Sequence, residues 1–152
     1  MKIFGTFGTR GIVNEKMSSE FALKIGLSFG TLLKEESLSG KVLVGRDTRT
    51  SGQMLRNALV SGLQSAGYDV IDVGVVPTPA IQLGCRRDDD VVGGVIITAS
   101  HNPPEYNGIK LLEANGMGLK KEREAQVEEI FASKNFYDAD YAEIGESEQK
   151  KV

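Results

Sequence analysis

Val91-Val92-Gly93-Gly94-Val95-Ile96-Ile97-Thr98-Ala99-Ser100 is the stretch on which the reading of this chain turns. Its first eight residues are a near-continuous β-branched run around a glycine pair, the pattern of a central strand covered on both faces. The run ends by delivering Ser100 at the strand's carboxyl end. Upstream, Lys41-Val42-Leu43-Val44-Gly45 is a second short apolar run between glycines, and 68–73 is a third. Helical spacing separates them. Phe21, Ile25, Phe29 and Leu32/Leu33 recur at three- and four-residue steps after Ser18, an expected N-cap, which predicts a helix over about 19–34. Ala22, Gly26 and Gly30 line a neighbouring face of that helix, a position where glycine is costly unless backbones pack closely. Met54, Leu55, Ala58, Leu59, Gly62 and Leu63 mark a second helix, with Gly67 suited to its left-handed cap. Pro77-Thr78-Pro79 opens a short third one, Thr78 being the expected N-cap and Pro79 the first helical residue.

Strands alternating with helices predict an α/β fold, a three-layer α/β/α sandwich around a mainly parallel mixed sheet. Asn107-Gly108 reads as a tight turn followed by a short strand, and Asn115-Gly116 as a second turn. A charged amphipathic helix over 120–132 follows, anchored by Val127, Ile130 and Phe131. Periodicity is then lost, so residues 1–133 are expected to form the domain and 134–152 a linker or the truncated start of a next one.

The 152 residues carry 18 Lys+Arg against 21 Asp+Glu, a net charge of −3, and lack the basic excess that a nucleic-acid backbone or an anionic membrane demands. The run 91–100 falls far short of the roughly 20 apolar residues of a membrane span. One cysteine, Cys85, and one histidine, His101, allow no disulfide framework and make a Cys/His zinc site implausible, which fits a reducing cytoplasm. Glycine is abundant, 18 residues, and concentrates in loops.

In α/β sheets ligands gather beyond the carboxyl ends of strands, where 46–52, 76–79 and 100–107 are expected. The segment 98–110 holds a hydroxyl, the only imidazole, two amides and a lysine. Pro103-Pro104 restrict the backbone after Ser100, so its hydroxyl is presented at a fixed place, as a nucleophile or a phosphoryl carrier requires. Lys110 lies ten residues on, across the Asn107-Gly108 turn, where folding back brings its ammonium toward the serine. Arg10, between Gly8 and Gly11 in the loop Phe7-Gly8-Thr9-Arg10-Gly11, can fork onto phosphate oxygens. Arg46 and Arg49, in Val44-Gly45-Arg46-Asp47-Thr48-Arg49, can do the same or pair with Asp47. There is no Walker A loop and no dinucleotide fingerprint.

Thr98-Ala99-Ser100-His101-Asn102-Pro103 with Asn107-Gly108-Ile109-Lys110 resembles the phosphoserine loop of the α-D-phosphohexomutases. Phe7-Gly8-Thr9-Arg10-Gly11, the arginine loop and Pro77-Thr78-Pro79 are similar to other stretches of that superfamily, so the resemblance covers essentially the whole chain as the first of four domains. It implies exchange of phosphate between the 1- and 6-positions of a hexose, glucose or mannose, through a phosphoserine and a bisphosphorylated sugar. On that pattern Ser100 is the carrier, Lys110 the general acid/base and Arg10 the residue that steadies the phosphoryl group. His101, Asn102, Arg46 and Arg49 are expected at the substrate. A lysine of ordinary basicity holds its proton at neutral pH, so its role would rely on neighbouring cations, Arg10 among them. The resemblance also implies Mg²⁺, bound through an oxygen of the Ser100 phosphate with its other ligands outside this chain, and an activating hexose 1,6-bisphosphate.

Several family features are missing. Neither the Asp-Gly-Asp-x-Asp-Arg metal loop nor the sugar and phosphate loops of later domains occur, Asp88-Asp89-Asp90 is no substitute for the first, and Phe7 replaces a tyrosine of some relatives. The chain by itself is therefore expected to be inactive, to depend on later domains of the same polypeptide, and to expose apolar surface that favours self-association. Two rivals remain at this stage. A serine hydrolase lacks a nucleophile elbow and a second histidine; a noncatalytic phosphosugar or anion-binding module would need neither magnesium nor a covalent phosphate.

Overall fold

The computed structural model describes residues 2–6 and 8–151. Phe7, expected to differ from some relatives, lies outside them. Among the described residues a six-stranded sheet runs in the order β1-β5-β4-β2-β3-β6, with β1 at Thr9–Ile12, β2 at Lys41–Arg46, β3 at Asp69–Val75, β4 at Val91–Ile97, β5 at Tyr106–Leu112 and β6 at Ser147–Gln149. Strands β4, β2, β3 and β6 are mutually parallel, while β5 is antiparallel to both β4 and β1. The helices are α1, Ser19–Glu35; α2, Gly52–Ser65; α3, Thr78–Arg87; and α4, Lys121–Ser133. None is long and apolar enough to cross a membrane.

β4 is covered on both faces, as its composition predicts, and its glycines are the reason the layers fit. A Cβ on Gly93 would stand 2.8 Å from the Phe29 ring of α1, and one on Gly94 would stand 2.7 Å from the Cys85 sulfur of α3. One core lies beneath α1, α2 and α4 and includes Phe29, Val44, Leu59, Val95, Ile97, Ile109 and Val127; the smaller one beneath α3 joins Leu43, Ile71, Ile81, Cys85, Ile96 and Leu112. Burial pushes the Cys85 thiol up to about 11, which keeps it a neutral core group at physiological pH.

Ser18 caps α1, its hydroxyl accepting the Phe21 N–H at 3.1 Å, and Gly67 turns the chain out of α2 at φ +92°. α3 begins one residue earlier than expected. Pro77, extended at φ −70° and ψ 152°, is its N-cap and Pro79 sits one place inside the first residue, Thr78. Asn115-Gly116 forms the expected turn, with Gly116 at φ +86°.

Two expectations are corrected. The segment around Arg10 is not a loop: 9–12 form edge strand β1 against β5. Asn107-Gly108 is not a turn but lies inside β5, opposite Gly11 and Arg10. Local preference loses here to tertiary bonds, since fully buried Asn107 donates to the Ser51 hydroxyl at 2.8 Å and accepts the Gly108 N–H at 2.8 Å. Residues 134–151, the expected linker or start of a next domain, pack along residues 1–133. Tyr137 N–H donates to the Thr31 hydroxyl, Ala139 and Gly145 N–H donate to the carbonyls of Ser65 and Gln64, and β6 extends the sheet beside β3.

The close packing read from the small residues of α1 is present at its crossing with α2. A Cβ on Gly26 would lie 2.3 Å from the Leu59 carbonyl oxygen, and one on Gly62 would lie 2.5 Å from the Leu23 carbonyl oxygen. Both obstacles are backbone, so they cannot rotate aside. Gly26→Ala is expected to destabilise the chain by about 1–3 kcal/mol in urea unfolding, despite alanine's better helix propensity.

Candidate functional site

Three segments converge beyond the carboxyl end of β4. The first is the β4–β5 connection, 98–105, which carries Ser100. Ser100 has a left-handed backbone, φ +54°, a costly conformation for a residue with a side chain, and sites of this kind cluster where function over-determines geometry. Its N–H donates to the Thr98 hydroxyl at 3.0 Å, and that hydroxyl donates to Asp47 Oδ2 at 2.6 Å.

The second segment, 46–52, leads from β2 into α2. Asp47 accepts the Arg49 N–H at 3.0 Å on Oδ1 and the Arg49 Nε–H at 3.3 Å on Oδ2. The rest of the Arg49 guanidinium crosses to the serine loop. Nη1 donates to the carbonyls of Pro103 at 2.7 Å and Tyr106 at 3.0 Å; Nη2 donates to those of Ser100 at 3.0 Å and Asn102 at 2.7 Å. A guanidinium has five N–H donors, and in Arg49 all five are engaged by the protein. Of the two alternatives in the sequence, pairing is the one the structure displays. Arg46 is turned toward α2, lies 3.1 Å from where a Gly52 Cβ would be, and donates to the Asp47 carbonyl at 3.2 Å.

The third segment is β1. Arg10 Nη1 donates to Asn102 Oδ1 at 3.0 Å, which joins the N-terminal edge strand to the serine loop. Gly108 is held in a slot, since a Cβ there would meet the Thr9 and Thr98 carbonyl oxygens at 2.7 Å each. The expected contribution of 76–79 is smaller: Val76 N–H donates to the Arg46 carbonyl at 3.1 Å.

Lys110 does not reach the serine by way of a turn at Asn107-Gly108. It stands opposite Ile96, four residues before Ser100, on the same sheet face as Arg10, its diagonal neighbour across the β1–β5 pair. Gly8 leaves room for it, a Cβ there falling 3.2 Å from Lys110 Cβ, and the chain passes beside Gly118. Among the described residues the Ser100 hydroxyl, the exposed His101 ring and the half-buried Lys110 ammonium make no hydrogen bond or ion pair. These three are uncommitted, whereas Asn102, Arg46 and Arg49 are tied into the frame. Asp47, Thr98, Ser51 and Asn107 were not singled out from sequence as parts of this site; the hydroxyl two residues before Ser100 and the Asp-x-Arg spacing were the available signals.

No group of three or more His, Cys, Asp or Glu side chains able to hold a metal occurs among the described residues. Asp88-Asp89-Asp90 is a turn at the opposite end of β4, where the Asp90 carbonyl accepts the Lys41 N–H.

Residues 1–138 match the family model described as phosphoglucomutase/phosphomannomutase, alpha/beta/alpha domain I. The chain belongs to this family. It is 63% identical over 152 residues to a phosphoglucomutase/phosphomannomutase of Thermococcus kodakarensis, covering 99% of this chain and 33% of that protein. A probable phosphoglucosamine mutase of Pyrococcus abyssi is 49% identical over 148 residues, covering 97% and 32%. A crystal structure of a phosphoglucomutase/phosphomannomutase family protein from Burkholderia thailandensis superposes with a TM-score of 0.86 at 31% identity, covering 99% of this chain and 33% of that one. The chain thus spans about a third of the length of these relatives, and within the family it corresponds to domain I.

Thr98→Val keeps the shape of the side chain and removes the hydroxyl that links Asp47 to the Ser100 amide. It is expected to cost about 1 kcal/mol in urea unfolding and to speed hydrogen exchange at the Ser100 amide while leaving the core strands protected.

Proposed function

We propose that this chain is the phosphoserine-bearing first domain of a phosphohexomutase, which interconverts hexose 1-phosphate and hexose 6-phosphate by way of a bisphosphorylated sugar. The observation that carries the reading is the state of Ser100: an exposed, unbonded hydroxyl on a left-handed residue whose backbone is held at both its N–H and its carbonyl. That is the arrangement a group carrier needs, because the oxygen must receive and release a phosphoryl group without moving its anchor.

In this reading a phosphoryl group on Ser100 Oγ passes to a sugar hydroxyl, breaking the Oγ–P bond and forming a new O–P bond. Lys110, acting as the neutral amine, takes the hydroxyl's proton and passes it to the departing Ser100 Oγ, and in the return step it takes the Ser100 hydroxyl's proton as Oγ attacks the opposite phosphate and gives it to the departing sugar oxygen. Arg10, fixed by Asn102, presents positive charge to the group in transit. His101, exposed beside the carrier, contacts the substrate, and Arg46 and Asn102 act from the frame. Among the described residues the Lys110 amine makes no hydrogen bond or ion pair, which suits a relay that begins and ends with the same proton inventory.

Among the described residues no group of three or more His, Cys, Asp or Glu side chains is placed to hold a metal ion. A magnesium ion is proposed to meet the phosphoserine oxygen only when ligands outside this chain are present, and it then supplies charge neutralisation. The same dependence makes the isolated chain inactive and gives later domains of the polypeptide the choice among hexose phosphates. A hexose 1,6-bisphosphate is proposed to load the serine, and the cytoplasm, where sugar phosphates occur, is the proposed location.

Ser100→Ala in the full polypeptide is expected to abolish mutase turnover and the acid-stable phosphate otherwise detected on the purified protein by mass spectrometry. Ordinary turnover in that variant would overturn the carrier role of Ser100. Lys110→Ala is expected to lower kcat by about 10²- to 10⁴-fold with a smaller change in KM; steady-state kinetics in both directions would expose an unchanged kcat.

A further inference from the structure

The connection 98–105 turns the chain back through about half a circle with two adjacent prolines, and prolines donate nothing. Four of the carbonyls in and beside this turn, those of Ser100, Asn102, Pro103 and Tyr106, find donors on one side chain from another loop, Arg49. The same guanidinium is fixed from behind by Asp47 Oδ2, which also accepts the Thr98 hydroxyl, which in turn accepts the Ser100 N–H. The bonds therefore close a ring: Arg49 to Asp47, Thr98 to Asp47, the Ser100 N–H to Thr98, and Arg49 again to the Ser100 carbonyl. Both polar groups of the Ser100 backbone belong to it.

We infer that Arg49 is the positioning residue of the reactive serine, acting through the backbone of its loop and not as a ligand for the sugar phosphate. A phosphate oxygen could recruit this guanidinium only by taking a donor from a loop carbonyl, which would release the conformation that presents Oγ. Arginine is required by count and by shape. Lysine brings three donors on a point charge, too few for five acceptors arranged around a planar fork. The inference rests on the proposed role of Ser100 for its kinetic consequence, but its structural half stands on the ring alone.

The test pairs two readouts on Arg49→Lys and Arg49→Ala. In the full polypeptide, both variants are expected to lower kcat by about 10²-fold, the scale of a small misplacement of a reacting group, with KM for the sugar phosphate unchanged. Added guanidinium is expected to restore part of the turnover of Arg49→Ala. In the 152-residue chain, ¹⁵N-labelled Arg49→Lys is expected to shift the amide signals of 98–106 while those of β2 and β4 stay in place, which also shows that this milder variant is folded. A raised KM with kcat retained, or loop amides that do not move, would overturn the inference. If instead Ser100→Ala retains mutase turnover, the carrier reading fails while the amide signals still decide whether Arg49 sets the loop.

Discussion

A chain that reverses direction through two adjacent prolines has more carbonyls to satisfy than N–H groups with which to do it. Everything around Ser100 follows from how this chain meets that shortage. The donors come from Arg49, a residue more than fifty positions away in sequence, and the aspartate that holds Arg49 also holds the threonine that accepts the Ser100 amide. A buried or half-buried polar group left without a partner costs more than the average hydrogen bond contributes, so the two loops stabilise each other only in one mutual register. That register places the serine in a left-handed conformation and its hydroxyl in solvent.

The division between engaged and idle polar groups gives the region its functional character. Asp47, Arg49, Ser51, Thr98, Asn102 and Asn107 bond to one another and to backbone. Among the described residues the side chains of Ser100, His101 and Lys110 do not, although they lie in or beside the same structure. A folded surface normally has water for such groups, and idleness alone proves little. Here, however, it falls on a hydroxyl, an imidazole and an amine around a deliberately rigid loop, in a chain that belongs to a family of phosphosugar mutases by its first-domain match.

Most of the fold was legible because its elements advertise themselves locally. The α1 cap at Ser18, the apolar period after it and the β-branched run of β4 all express preferences of the residues themselves. Where reading failed, the deciding contacts were distant. Asn107-Gly108 carries strong turn chemistry, yet the Asn107 amide is spent on Ser51 and Gly108 is needed where two other carbonyls crowd the strand. β1 is a four-residue edge strand that follows Gly8 and contains Gly11, too short to show alternation, and β6 is three exposed residues joined to the sheet by backbone pairing with β3 and by the exposed Lys41–Glu148 ion pair. At the site, Ser100, Lys110 and Arg10 stood out by chemical type, while the engagement of all five Arg49 donors is a property of the folded loops that no local pattern carries.

The contact between α1 and α2 bears on the site in a mechanical sense. Gly26 and Gly62 bring backbone against backbone, so at the crossing point itself no side-chain torsion intervenes that could yield under load. An ordinary interface of leucines can absorb a small shift by changing rotamers; this one transmits it. The first turn of α2, where Ser51 meets Asn107, is thereby coupled stiffly to a helix on the far side of the joint, and the floor of the serine loop has the low compliance of main chain on main chain.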